Sequence, residues 1–371
     1  MVRLFDLLAE QAPLQGALYE AARRVIDSGQ YILGPEVSAL EAELAQSLGV
    51  TPEQVVAVSS GTDALILSLR ALGVGPGDDV IVPAFSFIAT ASAVLWVGAR
   101  PVFADIDART MTISVEDVAA RMTHKTKAVI AAHLFGYPAD MTGLMALCQA
   151  HGWALVEDVA QALGARWEDA PLGTLGDAGA LSFFPTKHLG ALGDAGALIM
   201  RDPKRAALAR RLRNHGDEGQ YTHTDLGMNA RMSALQAALL RVKLTRLPAV
   251  NEQRRALADR YEVALKGLEG LTLPAADPPN GLSMPYPYVV RVAQRAELQK
   301  HLARLGVESK VYYPHTLPSQ PIFLQHLPLK PDPWPQAQAA SEQALAIPLS
   351  QGPDGRACGQ VITAMRDFLS A

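Results

Sequence analysis

From residue 55 to residue 158 the chain alternates short apolar runs with helix-length segments, and this rhythm limits the folds open to it. Val55–Val58, Val80–Val82, Pro101–Ala104, Ala128–Ala132 and Ala154–Val156 read as strands. Thr62–Leu72, Phe87–Val97, Val115–Met122 and Leu144–His151 read as the intervening helices. Gly73 ends the first of these helices, and Gly75-Pro76-Gly77-Asp78 is a turn. The strand runs lack a polar alternate, so both their faces are expected to be buried. Such strands, spaced by helices, predict an α/β fold: a mainly parallel sheet covered on both sides.

The flanks differ. Residues 4–28 read as mostly helical, 30–34 as a turn, and Val37–Leu48 as an amphipathic helix. Past Trp167, Ala178–Phe184 and Ala197–Met200 read as two strands joined by a loop. Ser233–Lys266 reads as helical, broken or kinked at Pro248. The proline-rich stretch 271–287 predicts a crossing into a smaller unit. There Tyr288–Val292, the helix Ala296–Leu305, Lys310–Tyr313 and a last helix near Gln360–Leu369 suggest an α+β arrangement.

With 371 residues and 49% hydrophobic content, the chain can bury a large core. A net charge of −4 and the lack of a long basic block argue against nucleic acid as a partner. The basic run Lys204–Arg213 is expected to be a solvated helix face. Cys148 and Cys358 offer neither a disulfide framework nor a zinc spacing, and no metal site is expected. No signal-peptide pattern or long uncharged apolar run appears, so a cytoplasmic protein without a membrane partner is expected.

Three segments could carry chemistry. Ser60-Gly61-Thr62 stands at an expected helix start, where free backbone N–H groups and the helix dipole favour a phosphate. On this motif alone, plain N-capping by Ser60 or Thr62 is the favoured reading. Asp158 and Gln161 follow an apolar strand, at the edge where open α/β sheets bind ligands. A carboxylate there can keep a pyridine nitrogen protonated; it can also cap a helix. Lys187 lies in a loop between strands, with Ser182 before it and Gly190, Gly193 and Gly196 after it. A lysine becomes a nucleophile when burial or nearby positive charge lowers its pKa. Together these segments offer handles for the phosphate, ring nitrogen and aldehyde of pyridoxal 5′-phosphate (PLP). Phe87, at another strand-to-helix turn, could stack on its ring, although Phe85 or Phe87 could equally be core. His133 and His215 have no metal-ligand partner at helical spacing and read as structural or substrate-facing.

The ordered set of motifs resembles the DegT/DnrJ/StrS family of PLP-dependent nucleotide-sugar aminotransferases over nearly the whole chain. It runs from Gly29-Gln30-Tyr31-Ile32-Leu33-Gly34-Pro35 through Ser60-Gly61-Thr62-Asp63-Ala64-Leu65 and the segment 75–83. His133-Leu134-Phe135-Gly136, Glu157-Asp158-Val159-Ala160-Gln161-Ala162 and the Lys187 loop follow. Met228-Asn229-Ala230-Arg231-Met232 and Gln236-Ala237-Ala238 complete it.

The resemblance implies a fold type I aminotransferase. A mainly parallel seven-stranded sheet would sit in an α/β/α large domain, residues 1–245, with a smaller C-terminal α+β domain, residues 246–371. Lys187 would form the Schiff base and shuttle the proton. Asp158 would pair with the ring nitrogen, and Gln161 would lie near the ring hydroxyl. Gly61, Thr62 and Ser182 would bind the phosphate, with Phe87 over the ring. Asn229 would reach the phosphate of a neighbouring subunit, so the resemblance implies a homodimer with shared active sites. Arg231, Tyr312 and Tyr313 align near nucleotide-sugar contacts, and His188 and His315 fall in the same expected pocket. The implied reaction moves an amino group from L-glutamate to a keto sugar on a nucleoside diphosphate. The run 183–191 looks more like members acting at C-3 than at C-4.

Three positions depart from the pattern. His188 stands where asparagine is usual, Ala195 where glycine is common, and Pro318 where histidine is frequent. A sugar dehydratase of the same family would carry histidine in place of Lys187; here histidine falls one position later. A regulatory or sugar-binding relative is disfavoured by Lys187, Asp158 and Gln161 together. A nicotinamide-dependent dehydrogenase would need a G-x-G-x-x-G turn, which Ser59-Ser60-Gly61-Thr62 does not supply.

Overall fold

The computed structural model describes residues 1–327, 333–350 and 356–370. Its centre is a seven-stranded sheet. The strands are β1 (Val55–Val58), β2 (Asp79–Pro83), β3 (Arg100–Ala104), β4 (Thr126–Ala132), β5 (Ala154–Asp158), β6 (Ala178–Ser182) and β7 (Gly196–Met200). Their order is β1-β7-β6-β5-β4-β2-β3. Only β7 runs against its neighbours; it pairs antiparallel with both β1 and β6. The mainly parallel sheet read from the sequence is therefore present.

Successive strand residues enter opposite cores, as the pleat requires. Val56, Val58, Val80, Val82, Ile130 and Val156 pack on one face. Val55, Ala57, Ile81, Val129, Ala131 and Leu155 pack on the other. Helices Gly61–Ala71 (α1) and Ile88–Trp96 (α2) cover the first face, and Pro35–Leu48, Met141–His151 and Ala234–Leu244 the second. A third core joins Leu257, Tyr261, Val290, Leu302, Ile347 and Val361. It lies on a separate three-stranded sheet of Leu271–Thr272, Tyr288–Val292 and Ala344–Ile347. Val2 also packs into this core, so the N-terminus joins the C-terminal part.

Some expectations change. The helical stretch 233–266 is two helices, Ala234–Leu244 and Leu247–Leu265 (α3), with Pro248 in the first turn of the second. There the missing proline N–H costs nothing, because first-turn N–H groups have no intrahelical partner. Lys310–Tyr313 is not a strand; Lys310 makes one isolated bridge to Ala346. The basic run Lys204–Arg213 forms the helix Pro203–Leu212, but only part of it is solvated. Arg213 is buried and donates to Glu41 Oε1 at 2.7 Å and to the Ala57 carbonyl at 2.6 Å. Arg210 donates to the carbonyls of Pro52, Glu53 and Val55. Among the described residues no helix is long and apolar enough to cross a membrane, and no cluster of metal-ligating side chains occurs.

Glu157 anchors the centre of the sheet. Its fully buried carboxylate accepts from the amides of Gly173, Leu175 and Gly176 at 2.7–2.8 Å and from His133 Nε2 at 3.1 Å. Removing it strands two buried N–H groups, of Gly173 and Gly176, and the part-buried one of Leu175. Glu157→Ala is expected to cost about 3–5 kcal/mol of folding stability. A urea titration reads this, and a loss below about 1 kcal/mol would contradict it.

Candidate active site

β1, β2, β4, β5 and β6 share a direction, so their carboxyl ends meet at one sheet edge, the usual ligand edge of such folds. A cavity of about 410 Å³ opens there. Of the expected cofactor residues, Gly61, Thr62, Phe87, Asp158, Gln161 and Ser182 line it together with Lys187. Tyr312 and Tyr313, from far along the chain, form part of its wall.

Each group has a local reason for its place. Ser60 caps α1, its Oγ accepting from the Asp63 amide at 3.1 Å, so the capping reading of this motif holds. Gly61 adds something capping does not need. A Cβ there would lie 2.7 Å from Ser182 Cβ, so only glycine lets the helix start close on the end of β6. Asp158 ends β5 and is buried. Thr90 donates to its Oδ2 at 2.8 Å, and the Ala160 amide donates to its Oδ1 at 3.2 Å. Ser86 Oγ lies 2.9 Å from Thr90 Oγ1, which extends a buried hydroxyl chain to the carboxylate. Gln161 accepts from the Phe135 amide at 2.9 Å and donates to the Tyr313 hydroxyl at 3.0 Å, so its amide is fixed at both ends. Phe85 is core, whereas Phe87 is half exposed and faces the cavity.

Lys187 sits in the loop between β6 and β7. The loop is tied at its base by the Phe183 amide to the Ala195 carbonyl and the Ala191 amide to the Phe183 carbonyl, both 2.8 Å. Burial lowers the Lys187 amine from the usual lysine range to about 8, with nearby Asp158 pulling the other way. An amine so placed is a usable nucleophile near neutral pH.

Other expected residues lie elsewhere. His188 does not line the cavity; it is buried behind it, with Nε2 3.2 Å from the Met284 carbonyl. Burial, then Arg254, hold its imidazole well below the usual histidine range, so it is neutral. The side chain after Lys187 points the opposite way and fills core. Asn229 is exposed and accepts from Arg231 Nε at 3.0 Å, while Arg231 Nη1 donates to Asn214 at 3.0 Å. Neither lines the cavity, nor does the exposed His315. His133 lines it, but both ring nitrogens are engaged, Nε2 with Glu157 and Nδ1 accepting from the Ala139 amide at 3.1 Å. That pairing makes it structural.

The family described as DegT/DnrJ/EryC1/StrS aminotransferases matches residues 14–366. The chain belongs to this family. It is 41% identical over 348 residues to a UDP-N-acetyl-3-dehydro-alpha-D-glucosamine 3-aminotransferase of Acidithiobacillus ferrooxidans, covering 94% of this chain and 92% of that one. It is 42% identical over 365 residues to the erythromycin biosynthesis sensory transduction protein EryC1 of Saccharopolyspora erythraea, covering 98% and 99%. Among solved structures, DesV of S. venezuelae in complex with a ketimine intermediate superposes with a TM-score of 0.94 at 37% identity, covering 100% and 99%.

The aminotransferase site holds residues that sequence reasoning passed over. Phe184 and Thr186, in the same loop as Lys187, line the cavity with it. Thr90, Tyr286 and Lys310 carried no signal in the sequence, because long-range packing alone brings them to the site.

Proposed function

We propose that this aminotransferase moves an amino group from L-glutamate to the C-3 keto group of a nucleoside-diphosphate-linked hexose. The product would be an amino sugar for surface polysaccharide or a glycosylated metabolite. PLP is the cofactor. The observation that carries the reading is a lysine amine lowered to about 8 in the same cavity as a buried carboxylate. The name of the Acidithiobacillus relative supports the sugar and the position of amination.

The residues present fit PLP. The α1 N-terminus, closed tightly on Ser182 through Gly61, would take the phosphate with Thr62. Asp158, oriented by Thr90, would hold the ring nitrogen protonated. Gln161 would lie near the ring hydroxyl and Phe87 over the ring face. Bound there, PLP supplies an electron-withdrawing ring that stabilises a carbanion. Lys187 Nζ would take the α-proton of the amino donor, acting first as base and then as acid. The apolar wall, including Phe87 and Phe184, would keep water away from that proton.

We assign the working unit as a homodimer in the cytoplasm. Asn229, exposed and outside its own cavity, would reach the partner's phosphate, with Arg231 close behind it. Tyr312, Tyr313 and His315 would meet the nucleotide sugar. We divide the chain into a cofactor domain, 1–245, and a smaller domain, 246–371. The third hydrophobic core, drawn from Leu257 to Met365 apart from Val2, supports that division.

Capture of PLP by the apoprotein needs the unprotonated Lys187 amine. The rate should rise about tenfold per pH unit below the amine's value near 8, then level off. Stopped-flow absorbance reads this, and a rate still climbing in the ordinary lysine range would count against the assignment. Borohydride trapping with peptide mapping should label Lys187. Incubating a panel of keto nucleotide sugars with glutamate, read by product mass, tests the substrate class. Failure of every 3-keto sugar would overturn it.

A further inference from the structure

Tyr286 was foreseen by no motif, yet its ring lies against the Lys187 amine. Nζ lies over its ring, 5.3 Å from the centroid. Asp158 acts on that amine through charge alone; no hydrogen bond to Nζ occurs among the described residues. The ring itself is held firmly. Its hydroxyl bonds Thr186 Oγ1 at 2.6 Å, one residue before Lys187, and its amide donates to the Phe135 carbonyl at 3.0 Å. The His188 ring lies 4.9 Å away and the Phe5 ring 5.4 Å. A second cation, Arg254, lies over the same ring with Cζ 5.7 Å from its centroid.

We propose that Tyr286 is a positioning residue whose ring receives the Lys187 ammonium whenever that amine is not joined to cofactor. The proposal rests on the reading of Lys187 as nucleophile. Once Lys187 has taken the α-proton as base it is an ammonium, and its head must stay within reach to return that proton as acid. A free lysine side chain would otherwise sample many rotamers. The ring face attracts the ammonium without neutralising it. Arg254 competes for the same π cloud, which keeps the hold weak and reversible. The other charged side chains that line the cavity are Asp158, Asp194 and Lys310; His188 behind the ring is neutral, and Arg254 also pairs with Glu10 at 3.5 Å.

The test compares Tyr286→Phe, Tyr286→Leu and a pentafluorophenylalanine at position 286, which keeps the ring's shape and inverts its quadrupole. In the apoprotein, competitive acylation of Lys187 across pH, read by peptide mapping, gives the midpoint of its labelling. Loss of the ring's attraction should lower that midpoint by about one pH unit in the Leu and fluorinated variants, but not in the Phe variant. In the holoenzyme the same two variants should lose about tenfold in kcat with KM for glutamate little changed, and Phe should restore most of it. An unchanged midpoint in both the Leu and the fluorinated variants, or a Phe variant as impaired as Leu, overturns the proposal. The fluorinated variant decides the matter if Leu does not fold. The labelling arm uses no cofactor. Failure to trap PLP on wild-type Lys187 would sink the functional reading, while the labelling midpoints still report on the ring.

Discussion

Lys187→Ala should retain its fold and lose turnover with glutamate and a keto nucleotide sugar by about a thousandfold or more. This is the sum of a lost nucleophile and a lost proton carrier. Among the described residues the Lys187 side chain makes no hydrogen bond, and the loop is tied by backbone groups that alanine keeps. Unfolding midpoints should therefore match wild type while borohydride labelling disappears. Added methylamine, small enough for the vacated space, should restore part of the proton-transfer rate. Turnover within tenfold of wild type would remove Lys187 from the mechanism.

The second large effect is expected at Asp158. Asp158→Asn keeps the shape and one acceptor, enough for Thr90 or the Ala160 amide, but removes the charge that would hold a ring nitrogen protonated. Losing one partner of a buried charge pair costs about 3–5 kcal/mol, which corresponds to a fall in kcat of about a hundred- to five-thousandfold. Single-turnover bleaching of the cofactor band by glutamate isolates the step. Thr90→Val, which frees the carboxylate to rotate, should show a smaller loss in the same direction. A half-reaction of normal speed in Asp158→Asn would mean that the ring nitrogen meets another group.

The sheet was legible because its strands are buried on both faces and so appear as unbroken apolar runs. Asp158 and Lys187 were legible for a related reason: strand ends at one edge collect ligand groups. The strand Ala344–Ile347 was not, because its four residues continue the alanine-rich pattern of the preceding helix Pro335–Gln343. Its pairing with Tyr288–Val292 is set by tertiary contact. His188 shows a second limit. Adjacent loop residues can point to opposite sides, and nothing in Lys187-His188 says which one faces the cavity. Arg210 and Arg213 show a third. A basic helix face reads as solvated until buried carbonyls and Glu41 are found beneath it. Pro248 marked a break correctly but did not say that a new helix begins there.

The close approach of Gly61 to Ser182 has a partner in Gly196, where a Cβ would lie 2.5 Å from the Ser60 carbonyl carbon. At neither position can even alanine be added without moving backbone. The frame behind the lysine thus has almost no neutral neighbours in sequence space. Mutational change around this edge of the sheet must leave these two glycines alone.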